Sequence, residues 1–123
     1  MMIHVRDEIL PLWEDYLAWL KAEVIPFSQS RLDRVFKKGS RETLLEAAVA
    51  RRERIVNLVQ QSGYYDAASE EVDVGMTAML AVEQFLDGDG AEALYQSEGW
   101  LQEAIELNRG GRGPDDGGAV VAC

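Results

Sequence analysis

Apolar residues recur at intervals of three and four along most of the chain, which is the spacing of one face of an α-helix. Between residues 5 and 24 this spacing selects a core-facing set, with charged residues on the opposite side: Val5, Ile9, Leu12, Trp13, Tyr16, Leu17, Leu20 and Val24. Pro11 falls on the polar side, so this predicted helix either begins near Pro11 or runs through it with a kink. The segment VIPFSQS is then expected to end the helix.

Capping residues divide the rest of the chain into further predicted helices. Ser30, followed three residues later by Asp33, resembles a capping box and predicts a short helix from residue 30 to 38 that ends at Gly39. Gly63 is a predicted C-cap, and the sequence DGDG predicts a tight connection. The long helices predicted around these signals cover residues 40 to 62, 64 or 66 to 86, and 91 to 108.

The short linkers between long helices favour antiparallel neighbours, and no segment shows the alternation of a strand. We therefore predict an all-α fold, an up-and-down antiparallel helical bundle of about four main helices plus one short helix. The bundle domain is expected to span residues 1 to 108. Residues 109 to 123 are rich in glycine and have little to bury, which predicts a flexible, disordered C-terminal tail.

The acidic residues are unevenly distributed along the chain, whose formal net charge is −10. Residues 1 to 62 carry ten basic and nine acidic side chains, whereas residues 63 to 123 carry two basic and thirteen acidic side chains. Such a balance argues against binding to a nucleic-acid backbone, which requires a surplus of Lys and Arg. We expect the two halves to neutralise each other, within one chain or across a dimer.

Three charged residues fall on the apolar faces of their predicted helices: Arg52, Glu71 and Glu83. An antiparallel hairpin turning at Gly63 would place Glu71 within reach of Arg52, so the sequence predicts an Arg52–Glu71 ion pair inside the bundle. Glu83 is then expected to contact Tyr95 or the first helix. Two interpretations remain open: a buried pair that fixes the packing register, or the polar lining of a small pocket.

The residues that most catalytic and metal sites require are scarce. His4 is the one histidine and Cys123, the last residue, is the one cysteine, so neither a di-iron bundle, a zinc site nor a nucleophilic triad is predicted. Residues 87 to 98 have acids at the first, third and twelfth positions of a calcium loop, but Glu92 stands where that loop requires glycine. We predict no catalytic residues, no metal and no cofactor.

The stretch VGMTAMLAV, residues 74 to 82, is apolar on nearly all sides of its predicted helix, which must therefore be covered on most sides. A second chain is one possible cover, because Gly75 permits close helix approach and Met76 and Met79 adapt to varied surfaces. The first helix and the 30 to 38 segment are the alternative. We predict a homodimer on this basis.

Large aromatic residues are numerous for a chain of this length. Trp13 and Tyr65 fall on apolar stripes and are predicted to be core residues, whereas Trp19 and Trp100 fall at stripe edges and are predicted to contribute to an interface. The leading functional hypothesis is therefore a cytoplasmic, non-catalytic protein-binding module: an adaptor, small chaperone or regulator with no membrane or nucleic-acid partner.

Two other functions remain open from the sequence. The chain could be a carrier or processed substrate, in which the bundle docks a partner and the tail ending in AVVAC, with Cys123, is cleaved or modified. It could also be an acidic mimic of nucleic acid, if the acids of residues 66 to 106 form one continuous face.

Overall fold

The computed structural model describes residues 2–29, 38–88 and 92–110, which form helices joined by turns, with no strand among them. The predicted all-α fold class is confirmed. The helical elements in chain order are α1 (Met2–Trp19), a π-helical turn (Leu20–Val24), α2 (Ile25–Gln29), α3 (Lys38–Ser62), α4 (Tyr64–Ala67), α5 (Ser69–Leu86) and α6 (Glu92–Gly110).

The four long helices α1, α3, α5 and α6 pack around one core. Helices α3 and α6 each lie between α1 and α5, so α1 and α5 face each other across the centre. Neighbouring helices run antiparallel: Glu14 of α1 contacts Arg109 near the end of α6, whereas Ser28 of α2 lies 3.4 Å from Tyr95 near its start. This arrangement is the predicted up-and-down bundle.

The first helical segment is longer than the sequence pattern indicates. Helix α1 runs through Pro11, which is exposed, and the helical backbone continues past VIPFSQS as far as Gln29. Pro26 lies in the first turn of α2, directly after a π-helical turn in which the Ile25 N–H donates to the Leu20 carbonyl. Because a proline in a first turn removes no required helical hydrogen bond, Pro26 does not end the helix.

The turn between α3 and α5 differs from a simple helical hairpin. Gly63 adopts a left-handed conformation (φ 71°) and its N–H donates to the Val59 carbonyl, so it caps α3 as predicted. The chain then forms the four-residue helix α4 and breaks at Ala68 (φ −143°) before α5 begins. The predicted single helix from residue 64 or 66 to 86 is therefore two helices.

Helices α1 and α5 approach each other closely at the centre of the bundle. Trp13 of α1 is fully buried, and its indole ring packs directly against Gly75 of α5, where any Cβ atom would overlap the ring. Gly75 therefore permits a close contact within the chain instead of one with a second chain. Besides Trp13, the largest fully buried side chains among the described residues are Tyr16, Tyr64, Ile9, Leu20, Ile55, Met79, Leu86, Leu94 and Leu101.

Two predicted segments fall partly or wholly outside the described residues. Residues 30–37, which hold most of the predicted short helix, are outside them, and α3 begins at Lys38, so Gly39 lies inside a helix instead of ending one. Arg109 and Gly110, assigned to the tail from the sequence, complete α6. Residues 111–123, which include Cys123, are outside the described residues.

Candidate functional site

Glu71 is a buried carboxylate on α5, with 3% of its surface exposed. Its Oε2 accepts hydrogen bonds from Trp13 Nε1 at 2.8 Å and from Asn108 Nδ2 at 3.3 Å, and its Oε1 accepts one from the Tyr64 hydroxyl at 2.8 Å. These three donors come from α1, α6 and α4, so one side chain joins four helices. Buried charges are tolerated when they are held by hydrogen bonds in this way.

The donors to Glu71 are themselves joined by further hydrogen bonds. Asn108 Nδ2 also donates to the Arg6 carbonyl at 3.1 Å, and Arg6 Nε lies 3.4 Å from the Tyr64 hydroxyl. Burial raises the pKa of Tyr64 above its ordinary value, and its hydrogen bond to Glu71 raises it further, so the hydroxyl remains a donor. Because both oxygens of Glu71 bind protein donors, we interpret this residue as structural and not as the wall of an open pocket.

The predicted Arg52–Glu71 ion pair is wrong, because Arg52 of α3 pairs with Glu83 of α5. Arg52 Nε lies 2.5 Å from Glu83 Oε2, and the two side chains are 27% and 16% exposed. Residues 64–68 form a separate turn instead of extending α5 back along α3, which shifts α5 by about five residues, or roughly one and a half helical turns, along α3 relative to the predicted register. Glu83 is therefore hydrogen-bonded to Arg52, whereas the sequence predicted that it would contact Tyr95 or the first helix.

Tyr16 of α1 lies close enough to the Arg52–Glu83 pair for both charges to affect its pKa. Its side chain is fully buried and its hydroxyl has no hydrogen-bond partner among the described residues. Burial raises the pKa of Tyr16 strongly and the negative charge of Glu83 adds to the shift, whereas Arg52 and Arg51 oppose it. The hydrogen bond to Glu83 in turn raises the pKa of Arg52, so the guanidinium stays charged.

Arg51 forms an ion pair with an acidic residue of the first half of the chain and not of the second half. Its Nε lies 3.2 Å from Asp15 Oδ2, and its guanidinium stacks over the Trp19 ring at 4.7 Å from the centroid. Trp19 is only 9% exposed because Tyr16 also packs edge-on against it. Trp19, predicted to lie at an interface, is therefore covered within the chain.

The other predicted interface residues divide into buried and accessible ones. Met79 and Gly75 are buried in the core and offer no surface to a second chain. Met76 and Trp100 are partly exposed. Trp100 lines a shallow cleft between α5 and α6, whereas Met76 lines a larger cavity between α3 and α5.

The α3–α5 face carries two shallow cavities, which we call the lower and upper grooves. The lower groove, of about 400 Å³, is lined by Ile55, Val56, Val59, Gln60, Gly63, Tyr65, Val72, Asp73 and Met76. The upper groove, of about 350 Å³, is lined by Leu45, Val49, Leu80, Glu83, Gln84 and Asp87. The Arg52–Glu83 pair lies between them, since Arg52 falls between Val49 and Val56 along α3.

Two large apolar side chains are exposed on this face. Leu80, in the upper groove, is 49% exposed, and Tyr65, in the lower groove, is 45% exposed. The prediction that Tyr65 is a core residue is wrong: the break at Ala68 changes the phase of the preceding turn, so Tyr64 is buried instead. The Tyr65 hydroxyl donates to Asp73 at the surface, at 3.1 Å.

The described residues include no group of three or more His, Cys, Asp or Glu side chains arranged to hold a metal ion. Within the same part of the chain, no helix is long and apolar enough to cross a membrane. Comparison of the chain with protein families, characterised proteins and solved structures gave no match.

Sequence reasoning identified Arg52, Glu71 and Glu83 as unusual but missed the residues that surround them. Nothing in the helical spacing distinguished Trp13, Tyr64 and Asn108 as donors to Glu71, because that role depends on how four helices converge. Leu80 belongs to a stretch that is apolar on nearly all sides of its helix, so the spacing did not distinguish it from its buried neighbours. Its exposure follows from the packing of α5, which buries three sides of the helix and leaves one facing outward.

Proposed function

We propose that this chain is a protein-binding helical bundle, acting as an adaptor, small chaperone or regulator, and that the α3–α5 face is its docking surface. The observation that carries the proposal is the pair of apolar grooves with Leu80 and Tyr65 exposed in them. Exposed apolar surface gathered on one face of a folded domain is typical of sites that bind another protein.

The shape of the face favours a helical segment of the partner. Two antiparallel helices with a groove between them offer a third helix the same packing that helices use inside a bundle. Met76 adds a flexible side chain that adapts to different partner surfaces. The Arg52–Glu83 pair gives the surface a fixed polar point between the two grooves, which would help to set the register of a bound helix.

The homodimer expected from the sequence is the other occupant of the same face. It would use Met76, Leu80 and Tyr65 and not Gly75 or Met79, because the latter two are covered inside the chain. Both arrangements place the binding energy in α3–α5 and depend on the exposed side chain of Leu80.

Affinity capture from the native cells tests the proposal with three forms of the chain: the unaltered sequence, Leu80→Gln and Tyr95→Gln. Tyr95 is a matched control because it is 51% exposed, close to the 49% of Leu80, but lies on α6, outside both grooves. Burial of half a leucine side chain stabilises a complex by about 1 kcal/mol, so we expect Leu80→Gln to reduce capture about fivefold.

The expected result is a bound protein, or a second copy of the chain, that is retained by Tyr95→Gln and depleted with Leu80→Gln. Equal capture by all three forms would contradict the proposal. Circular dichroism of both variants serves as the folding control, since substitutions at exposed helical positions change stability by less than about 0.5 kcal/mol.

A further inference from the structure

Acidic residues border the apolar grooves of the α3–α5 face. Asp73 lines the lower groove, and Glu83 and Asp87 line the upper one; among the described residues no Lys or Arg lines either groove. On α3, the exposed Glu53 lies one turn from both Val49 and Val56, so it borders the grooves from the opposite side.

The charge of this border is not cancelled by the ion pair at its centre. Arg52 neutralises Glu83, which leaves Asp73, Asp87 and Glu53 as net negative charges around the apolar surface. The hydrogen bond from Tyr65 positions Asp73 without removing its charge. The face is therefore an apolar strip with an acidic edge on each side.

The length of the strip defines the size of its occupant. From Leu45 to Gln60 the grooves follow sixteen residues of α3, whose fifteen steps correspond to roughly 22 Å at the rise of an α-helix. A partner helix of about four turns would cover this length. Its apolar stripe would meet Leu80 and Met76, and its flanks would meet the acidic edges.

We propose, on the basis of the protein-binding role above, that the occupant is an amphipathic helix whose apolar stripe is flanked by Lys and Arg. Opposite charges along the edges would speed association and favour this class of partner. A second copy of the chain would instead bring acidic edges against acidic edges, and like charges facing each other across an interface oppose binding. At longer range, the net charge of −10 attracts a basic partner and repels a second copy of the chain.

Two synthetic helical peptides of about four turns provide the test. Both carry leucine at helical positions i, i+4, i+7 and i+11; one has lysine at the flanking positions and the other has glutamate. Binding to the full chain is measured by fluorescence anisotropy at low and at physiological salt. The lysine peptide should bind at least about tenfold more tightly than the glutamate peptide, and its affinity should fall as salt screens the edges.

Matched variants locate the attraction on the face. Asp73→Asn with Asp87→Asn should weaken binding of the lysine peptide by about two- to thirtyfold, since each of the two exposed charge pairs contributes about 0.2–1 kcal/mol. Glu98→Gln with Glu106→Gln removes the same number of charges from α6, outside the grooves, and should change the affinity by less than about twofold. Leu80→Gln should weaken binding of both peptides.

The outcomes separate this inference from the proposed function. Equal binding of the two peptides, lost together on Leu80→Gln, would overturn the basic partner and leave the docking surface in place. Equal weakening by the two double variants would mean that the lysine peptide responds to the net charge of the chain and not to the acids beside the grooves. That result would also overturn the basic partner. A chain that is dimeric by light scattering and becomes monomeric on Leu80→Gln would identify a second copy as the occupant. Absence of binding by either peptide would overturn the helical occupant.

Discussion

Replacement of Glu71 by alanine is expected to remove the acceptor that buried donors from three helices share. Trp13 Nε1 would lose its hydrogen bond at 2.8 Å and the Tyr64 hydroxyl would lose the one it donates, also at 2.8 Å. Asn108 would keep its bond to the Arg6 carbonyl. The perturbation therefore creates about two buried, unsatisfied donors at the point where four helices meet.

The magnitude follows from these lost bonds. An unsatisfied buried donor costs about 1–3 kcal/mol, and removal of the carboxylate recovers part of the cost of burying a charge. We expect a net loss of about 2–4 kcal/mol in the free energy of unfolding. For a chain of this length, that loss corresponds to a decrease of roughly 8–16 °C in Tm.

Urea and thermal unfolding followed by circular dichroism measure the effect, and Glu70→Ala is the matched control. Glu70 is the adjacent residue on the same helix and carries the same charge, but it is exposed. Its replacement should change the free energy of unfolding by less than about 0.5 kcal/mol. Equal effects of Glu71→Ala and Glu70→Ala would refute the reasoning, because burial and hydrogen bonding would then contribute nothing.

Three further predictions concern the core. Gly75→Ala should destabilise the chain by about 1–3 kcal/mol, because the added methyl group overlaps the Trp13 ring, whereas Gly99→Ala, at an open helical position, should stabilise it by about 0.5–1 kcal/mol. Thermal unfolding of both variants is the measurement, and a shift of the same sign in both would count against the packing described. Tyr16→Phe should leave stability unchanged or increase it by about 1 kcal/mol, because the hydroxyl has no partner, whereas Tyr64→Phe should destabilise in urea titrations. The raised pKa values of Tyr16 and Tyr64 mean that the unfolded chain releases these protons first as pH rises, so the free energy of unfolding should fall above about pH 10. The slope should be smaller in the double phenylalanine variant; an unchanged slope would exclude these tyrosines as its source.

The number and approximate position of the long helices could be predicted from the sequence because they depend on local signals. Apolar spacing predicted four long helices, and Gly63, the residue best suited to a left-handed C-cap, ends α3 as expected. The prediction that VIPFSQS ends the first helix was wrong because a π-helical turn directly precedes Pro26 and places it in the first turn of α2, where no N–H donor is required.

The partners of the inward charges could not be predicted because they depend on helix register. Spacing placed Arg52, Glu71 and Glu83 on inward faces, but the choice between the two carboxylates required the length of the turn. The break at Ala68 is marked in the sequence only by Glu70 and Glu71 in the first turn of α5, which do not by themselves distinguish a new helix from a continued one. That one feature decides which carboxylate Arg52 reaches and whether Tyr64 or Tyr65 is buried.

Only part of the candidate docking face could be predicted from the sequence. The excess of apolar residues from 74 to 82 indicated that α5 must be covered on most sides, and α1, α3 and α6 cover most of it. Which residues remain outside depends on the angular position of α5 in the bundle. Leu80 is exposed by that position, whereas Met79, the adjacent residue, is fully buried.

Site-specific photo-crosslinking in the native cells tests the docking surface most directly. A benzophenone amino acid placed at Leu80 should form a covalent adduct with a partner protein or a second copy, whereas the same group at Tyr95, equally exposed on α6, should not. Adducts from position 95 with none from position 80, or no adducts from either position, would contradict the account.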